Sequence, residues 1–199
     1  MAILEYLSSI DSPSNHTIDG IRIWHISDGA IIYMPVAGGW LTSLNNPNDK
    51  LWSVAKQLVE GVDFMHSHGV AHMDIKPGNL IIPPQGGRLS IIDYNRSVQL
   101  TGRRDAYRGI VGTKGYIAPE VLAGSGLWSA LRADLWSAGK TLQELCMRCD
   151  SSAPGREALL TIARRLMSHN PTDRPMMSEV LQWMAQCEVQ SNPSRGTFQ

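Results

Sequence analysis

The sequence predicts an α+β fold in which short β-strands come first and helices dominate after about position 50. β-Branched and aromatic residues fill 21–26 and 30–34 on either side of a Ser-Asp-Gly turn, which is typical of a β-hairpin. From Leu51 the apolar residues adopt the helical spacing of three and four, and this pattern ends at Gly69. We therefore expect a small antiparallel sheet followed by a mainly helical domain.

The rest of the chain predicts one more hairpin and three more helices. Two apolar runs, at 80–82 and 89–92, flank a Pro-Pro-Gln-Gly-Gly turn. Helices are expected at 134–147, where Asp134 would be the cap, and then at 156–168 and at 175–187. Residues 188–199 are predicted to form a disordered tail.

Composition excludes several classes of protein. The 199 residues correspond to roughly one domain, and 18 basic side chains balance 18 acidic ones, so neither nucleic acid nor a membrane is an expected partner. No apolar run approaches the roughly 18 residues of a spanning helix. Three cysteines are too few for a secreted disulfide framework, so we expect an intracellular protein, in the cytoplasm or alternatively in the nucleus.

Polar residues with catalytic chemistry surround the second hairpin. Asn79 precedes its first strand and Asp93 follows its second, so antiparallel pairing would place their side chains next to each other, about 5 Å apart at Cα. An amide oxygen and a carboxylate are suitable ligands for Mg²⁺. Asp74 lies just upstream, where it could orient a hydroxyl, and Lys76 follows two residues later.

These residues belong to motifs that resemble those of the eukaryotic protein kinases, serine/threonine type. The catalytic loop corresponds to His-Met-Asp-Ile-Lys-Pro-Gly-Asn at 72–79, and the metal motif to Asp-Tyr-Asn at 93–95. Gly-Thr-Lys-Gly-Tyr-Ile-Ala-Pro-Glu at 112–120 resembles the end of an activation segment. The runs at 134–139 and 170–175 resemble the central helix of the large lobe and its arginine motif.

The resemblance implies a role for each matching residue. Asp74 and Lys76 would be catalytic, Thr113 would position the substrate, and Asn79 and Asp93 would hold Mg²⁺. ATP would contact the hinge at Met34 to Val36 and the apolar floor at Ile81, as well as Asn79 and Asp93. Five residues would be structural, with Glu120 and Arg174 forming a buried ion pair and Asp134 anchoring the catalytic loop; the five are His72, Tyr94, Glu120, Asp134 and Arg174.

On this basis the chain divides into part of a kinase small lobe at 1–36, a large lobe at 37–187 and the tail at 188–199. The implied reaction is phosphoryl transfer from Mg²⁺-ATP to serine or threonine hydroxyls of a protein substrate. Small-molecule phosphotransferases are a competing family, but Lys76 and the runs at 113–120 and 134–139 favour protein kinases.

The sequence also departs from the family pattern. No glycine-rich phosphate loop and no Val-Ala-Ile-Lys-like strand precede the hinge, Met73 replaces an arginine, and Asn95 replaces a glycine. Asparagine tolerates left-handed backbone angles better than most residues, so we expect metal binding at Asn79 and Asp93 to survive this replacement. The alternative function is therefore a catalytically inactive pseudokinase that acts as a binding or regulatory module, with a partner chain covering the incomplete small lobe.

Overall fold

The computed structural model describes residues 2–18, 20–34, 38–100, 102 and 106–191. Its first part is a short helix, α1 (Ala2–Ser8), followed by the hairpin of β1 (Arg22–Ile26) and β2 (Gly29–Tyr33). The strands are antiparallel, with Trp24 opposite Ile31 and Ile26 opposite Gly29. The predicted first hairpin is confirmed.

Two small sheets lie at the centre of the chain. The first has the order β3-β5-β6, and the second pairs β4 with β7. Their bounds are β3 (Gly39–Trp40), β4 (Val70–Ala71), β5 (Leu80–Ile82), β6 (Ser90–Ile91) and β7 (Val98–Gln99). The pairing of β5 with β6 confirms the second predicted hairpin.

The long helix α2 (Pro47–Ser67) begins four residues before the apolar pattern predicts. Proline at its first position explains the early start, because the fixed φ of proline suits a first helical turn. The helix ends where Gly69 takes a φ of 70°, which only glycine adopts easily.

Four further helices complete the fold. They are α3 (Pro119–Leu122), α4 (Ala130–Met147), α5 (Arg156–Leu166) and α6 (Met177–Ser191). Helix α4 begins at Ala130 and its flanking residue is Ser129, so the prediction that Asp134 caps this helix is wrong. Helix α6 continues to Ser191, so the predicted tail begins too early, and residues 192–199 lie outside the described part.

Glu188 shows why α6 continues past its predicted end. Its Oε1 accepts hydrogen bonds from Trp52 Nε1 at 2.9 Å and from Lys56 Nζ at 3.0 Å, and both donors lie on α2. These contacts tie the last turns of α6 to the body of the fold.

The helices α2, α4, α5 and α6 surround one hydrophobic core, which also includes Leu4 and Leu7 of α1. Helices α4 and α5 pack most closely at Gly139, where an added Cβ would lie only 2.9 Å from Leu166 Cβ. All three cysteines are free thiols. Among the described residues, no helix combines the length and hydropathy needed to cross a bilayer.

Candidate active site

The loop that follows β4 is anchored by hydrogen bonds to Asp134 of α4. The Asp134 carboxylate is fully buried and accepts the backbone N–H groups of His72 at 2.6 Å and of Met73 at 2.8 Å. Met73 takes a φ of 65°, a left-handed conformation that these bonds help to hold. Asp134 therefore acts on a loop about 60 residues away rather than on the end of its own helix.

His66 is a second anchor of Asp134, and sequence reasoning missed it. His66 Nε2 donates to Asp134 Oδ2 at 3.2 Å, and the His66 side chain is 4% exposed. The spacing of His66 from other histidines and cysteines does not indicate a metal site. A usable signal existed, because His66 follows the buried Val62 by four residues on the same face of α2.

The His72 ring is buried and hydrogen-bonded on both sides. Because Nε2 faces the carbonyl oxygen of Ile92 at 3.1 Å, we assign the proton to Nε2, and Nδ1 then accepts the Asp74 backbone N–H at 3.2 Å. Burial lowers the pKa of His72, so the ring stays neutral at pH 7. This histidine supports the loop and does not face the Asp74 carboxylate as a base.

Asp74 lies at the centre of a compact set of hydrogen bonds. Its Oδ2 accepts Lys76 Nζ at 2.6 Å, and its Oδ1 accepts the Thr113 hydroxyl at 2.7 Å. Lys76 Nζ also donates to Thr113 Oγ1 at 2.7 Å, which closes a triangle of three side chains. Thr113 is 39 residues from Asp74 in sequence, so the tertiary fold alone brings them together.

The charge state of Asp74 follows from these contacts. Burial raises the pKa of Asp74, but the hydrogen bonds from Lys76 and Thr113 outweigh burial and hold the pKa below its usual range. The residue is only 4% exposed, yet its carboxylate is ionised at neutral pH. The site therefore presents a fixed, paired negative charge.

Asn79 adds the fourth side chain. Its Nδ2 donates to the Asp74 carbonyl oxygen at 2.9 Å and to Asp74 Oδ2 at 3.2 Å. Since both amide protons point at Asp74, Asn79 Oδ1 faces the other way, and no described residue donates a hydrogen bond to it. An amide oxygen is therefore available for a ligand.

Asp93 lies one register position away from the predicted pairing. Asn79 is opposite Ile92, whose N–H donates to the Asn79 carbonyl oxygen at 3.0 Å, and Asp93 follows with a φ of 67°. The left-handed residue of the motif is thus Asp93, whereas Asn95 lies in the helical turn Tyr94–Arg96. Asn95 Nδ2 donates to Asp93 Oδ1 at 2.9 Å, a contact that a glycine could not make.

The donor chemistry of this site fits Mg²⁺. Asn79 Oδ1 and Asp93 Oδ2 are oxygen atoms of the kind that Mg²⁺ prefers, and no hydrogen bond from a described residue reaches either atom. The described residues contain no cluster of three or more histidine, cysteine, aspartate or glutamate side chains that could hold a metal ion. An ion here would therefore depend on Asn79, Asp93, a phosphate and water.

Tyr94 is buried beneath this motif. The residue is 7% exposed, and its ring lies 4.9 Å from the His72 ring at an angle of 60°. Burial raises the pKa of the Tyr94 hydroxyl, so it remains protonated. This ring contact joins the segment at 93–95 to the loop at 72–79.

The predicted nucleotide-binding residues are only partly described. Met34 follows β2 and is 45% exposed, and Ile81 is half-buried on β5 opposite Trp40. Val36 lies outside the described residues. Trp40 is 52% exposed, so this edge of the site is an open apolar surface.

Glu120 of α3 and Arg174, which precedes α6, form an ion pair. Arg174 Nη1 and Nη2 donate to the two carboxylate oxygens of Glu120 at 2.6 and 2.7 Å. Arg174 also donates to the carbonyl oxygens of Ser168 at 2.9 Å and Arg132 at 2.7 Å. The pair ties the segment that contains Thr113 to the helical core.

Comparison with known proteins agrees with this geometry. The family model described as Protein kinase domain matches residues 14–156. CBL-interacting protein kinase 8 of Oryza sativa subsp. japonica is 46% identical over 90 residues, which are 45% of this chain and 20% of that protein. CBL-interacting serine/threonine-protein kinase 15 of Arabidopsis thaliana is 32% identical over 151 residues, 63% of this chain and 35% of that protein.

Cyclin-dependent kinase B2-1 of Arabidopsis thaliana is 38% identical over 104 residues, 52% of this chain and 33% of that protein. The matches thus span about a fifth to a third of the length of these relatives. The family model covers well over half of the chain and includes every residue of the triangle of Asp74, Lys76 and Thr113. The chain is therefore a member of the protein kinase domain family.

Proposed function

We propose that this chain contributes the large-lobe part of a serine/threonine protein kinase active site, which transfers the γ-phosphoryl group of ATP to a protein hydroxyl. The observation that carries the proposal is the triangle of Asp74, Lys76 and Thr113, in which an ionised carboxylate lies beside a lysine ammonium. Kinase catalysis is mostly positioning and electrostatic stabilisation, and this arrangement supplies both.

The free lone pairs of Asp74 indicate where the acceptor hydroxyl would bind. Oδ2 already accepts hydrogen bonds from Lys76 and Asn79, whereas among the described residues Oδ1 accepts one from Thr113 alone. A carboxylate oxygen can accept about two hydrogen bonds, so a substrate hydroxyl has room at Oδ1. That hydroxyl oxygen would form the new bond to phosphorus as the bond to the ADP oxygen breaks, and its proton would pass to Asp74.

Lys76 would contribute a positive charge next to this oxygen. Its Nζ has one proton on Asp74 and one on Thr113, which leaves the third for an oxygen of the transferring phosphoryl group. Asn79 Oδ1 and Asp93 Oδ2 would hold Mg²⁺, which when bound neutralises charge on the ATP phosphates. Main-chain atoms near Met34 and Val36, together with Ile81, would bind the adenine.

The test is phosphoryl transfer from radiolabelled ATP to casein, with phosphoamino-acid analysis of the product. Asp74→Asn should lower the rate by about 10²- to 10⁴-fold, the range for loss of a general acid-base group, while circular dichroism stays unchanged. Asp28→Asn, in the exposed turn between β1 and β2, is the matched control. An undiminished rate in Asp74→Asn, or phosphate on tyrosine alone, would contradict the proposal.

A second candidate function is a binding module, a pseudokinase that uses this fold to hold another polypeptide. It is favoured by the β1-β2 hairpin, where Trp24, Ile26, Ile31 and Tyr33 are each at least 50% exposed. The register places these four residues on one face, because residues two apart on a strand share a face and so do directly opposed residues. The opposite face approaches α1, since His25 Nε2 lies 3.1 Å from Glu5 Oε1.

An exposed apolar face of this kind is suited to a partner chain that covers the hairpin. The described chain should then self-associate or bind a hydrophobic dye, and Trp24→Ser with Ile31→Ser should reduce both effects. A monodisperse monomer that leaves the dye unbound would exclude this function. For either function we propose an intracellular location, in the cytoplasm or alternatively in the nucleus, because three free thiols favour a reducing compartment.

A further inference from the structure

Asn95 stands where the family motif has glycine, and its side chain contacts a proposed metal ligand. Its Nδ2 donates to Asp93 Oδ1 at 2.9 Å. Asn95 lies in the helical turn Tyr94–Arg96 and has no left-handed backbone angle, so backbone geometry does not require asparagine there. The contact with the carboxylate is what the side chain adds.

The residues next to Asp93 are already fixed by three interactions. The carbonyl oxygen of Ile92 faces His72 Nε2 at 3.1 Å, the Tyr94 ring is buried, and Arg96 Nη1 donates to the Gly112 carbonyl oxygen at 2.8 Å. The Asp93 side chain is exposed and would rotate freely without a partner. Asn95 supplies that partner from a turn that is itself fixed.

From this arrangement we infer that Asn95 is a positioning residue for the divalent cation: it holds Asp93 Oδ1 and leaves Oδ2 directed to the ion. The inference rests on the proposed function, since Asp93 is the proposed ligand. Ligating carboxylates are commonly hydrogen-bonded by a neighbour that fixes their orientation, and loss of that neighbour typically lowers metal affinity by about 10- to 100-fold. The replacement of glycine is therefore compatible with metal binding.

The experiment measures Mn²⁺ affinity by electron paramagnetic resonance of the free ion in the presence of a non-hydrolysable ATP analogue. The same analogue without protein gives the baseline, because its phosphates bind Mn²⁺ themselves. Wild type should bind Mn²⁺, Asp93→Asn should abolish binding, and Asn95→Ala should weaken it about tenfold. Asn95→Leu, which has a similar volume but no amide donor, should weaken Mn²⁺ binding by a similar factor.

The matched control is Asn48→Ala. Asn48 Nδ2 donates to Asp150 Oδ2 at 2.5 Å, which is another exposed asparagine-aspartate bond, on a different part of the surface. This variant should keep the wild-type Mn²⁺ affinity, and thermal unfolding of each variant shows whether the fold is retained.

The possible outcomes separate the inference from the proposed function. If Asp93→Asn loses Mn²⁺ but Asn95→Ala stays within twofold of wild type, the metal site stands and the role of Asn95 is refuted. If Asn95→Ala loses Mn²⁺ as completely as Asp93→Asn does while the fold is retained, Asn95 is a direct ligand and positioning is again refuted. If wild type binds no Mn²⁺, or Asp93→Asn changes nothing, the proposed metal site fails and the inference fails with it.

Discussion

Neutralising Glu120 should destabilise the fold more than its position near the surface suggests. The Glu120 side chain is 18% exposed, but the side chain of its partner Arg174 is 0% exposed and donates hydrogen bonds to both carboxylate oxygens. In Glu120→Gln the guanidinium remains buried and charged, and it keeps only one side-chain acceptor. The two carbonyl groups of Ser168 and Arg132 cannot neutralise it.

The magnitude follows from the cost of leaving a buried charge unpaired. Breaking a buried ion pair costs about 3–5 kcal/mol, and the lower end applies because Glu120 is partly exposed and glutamine still accepts one hydrogen bond. We expect the free energy of unfolding to fall by about 3 kcal/mol. For a domain of this size, about 2–4 °C per kcal/mol gives a Tm lower by about 6–12 °C.

Urea unfolding followed by far-ultraviolet circular dichroism measures this loss, and an unchanged m-value shows that the comparison is between the same two states. Glu157→Gln is the control, because the Glu157 side chain is 74% exposed in its pair with Arg156, and surface pairs contribute about 0–1 kcal/mol. A loss below about 0.5 kcal/mol in Glu120→Gln would refute the reasoning that Arg174 depends on this carboxylate.

Three further predictions concern the site and the thiols. Thr113→Val should lower the rate of phosphoryl transfer about tenfold or more while Thr113→Ser keeps it, because the hydroxyl bridges Asp74 and Lys76; equal rates would refute the bridging role. The free energy of unfolding should fall as the pH drops below about 6.5, because burial lowers the pKa of His72 and the unfolded chain then binds more protons. In pH-dependent urea unfolding, His72→Asn should flatten that slope by up to about 1.4 kcal/mol per pH unit, and an unchanged slope would contradict the assignment. Burial raises the pKa of the Cys146 thiol to about 11, so it should react with Ellman's reagent only after unfolding in urea; rapid labelling of Cys146 in the folded chain, located by mass spectrometry, would contradict this.

Local patterns in the sequence were sufficient for most of the elements. The spacing of apolar residues from Leu51 predicts α2, and the turn residues between 80 and 92 predict the pairing of β5 with β6. Both depend on neighbouring residues, whose preferences act over a few positions. The motifs at 72–79 and 112–120 also identify the family, because recognising them requires the residue types and their order but no distances between atoms.

Asp134 shows where local patterns fail. Aspartate before an apolar run is typical of a helix cap. Here, however, the Asp134 carboxylate accepts hydrogen bonds from the N–H groups of His72 and Met73 instead. A buried carboxylate is stabilised by whichever donors the fold brings to it, and donors some 60 residues away leave no trace in the sequence around Asp134. The role of His66 could not be predicted either, because its partner Asp134 is also distant in sequence.

The sequence alone is enough to identify the family, the order of the helices and hairpins, and the residue types available at the site. How those residues meet depends on the packed fold, which brings Asp74, Lys76 and Thr113 together, shifts Asp93 by one register position, and turns Asn95 toward the Asp93 carboxylate. The physical reason is that helix, strand and turn preferences depend on residues close in sequence. Contacts between side chains that are distant in sequence form only when the core packs and sets the distance between them.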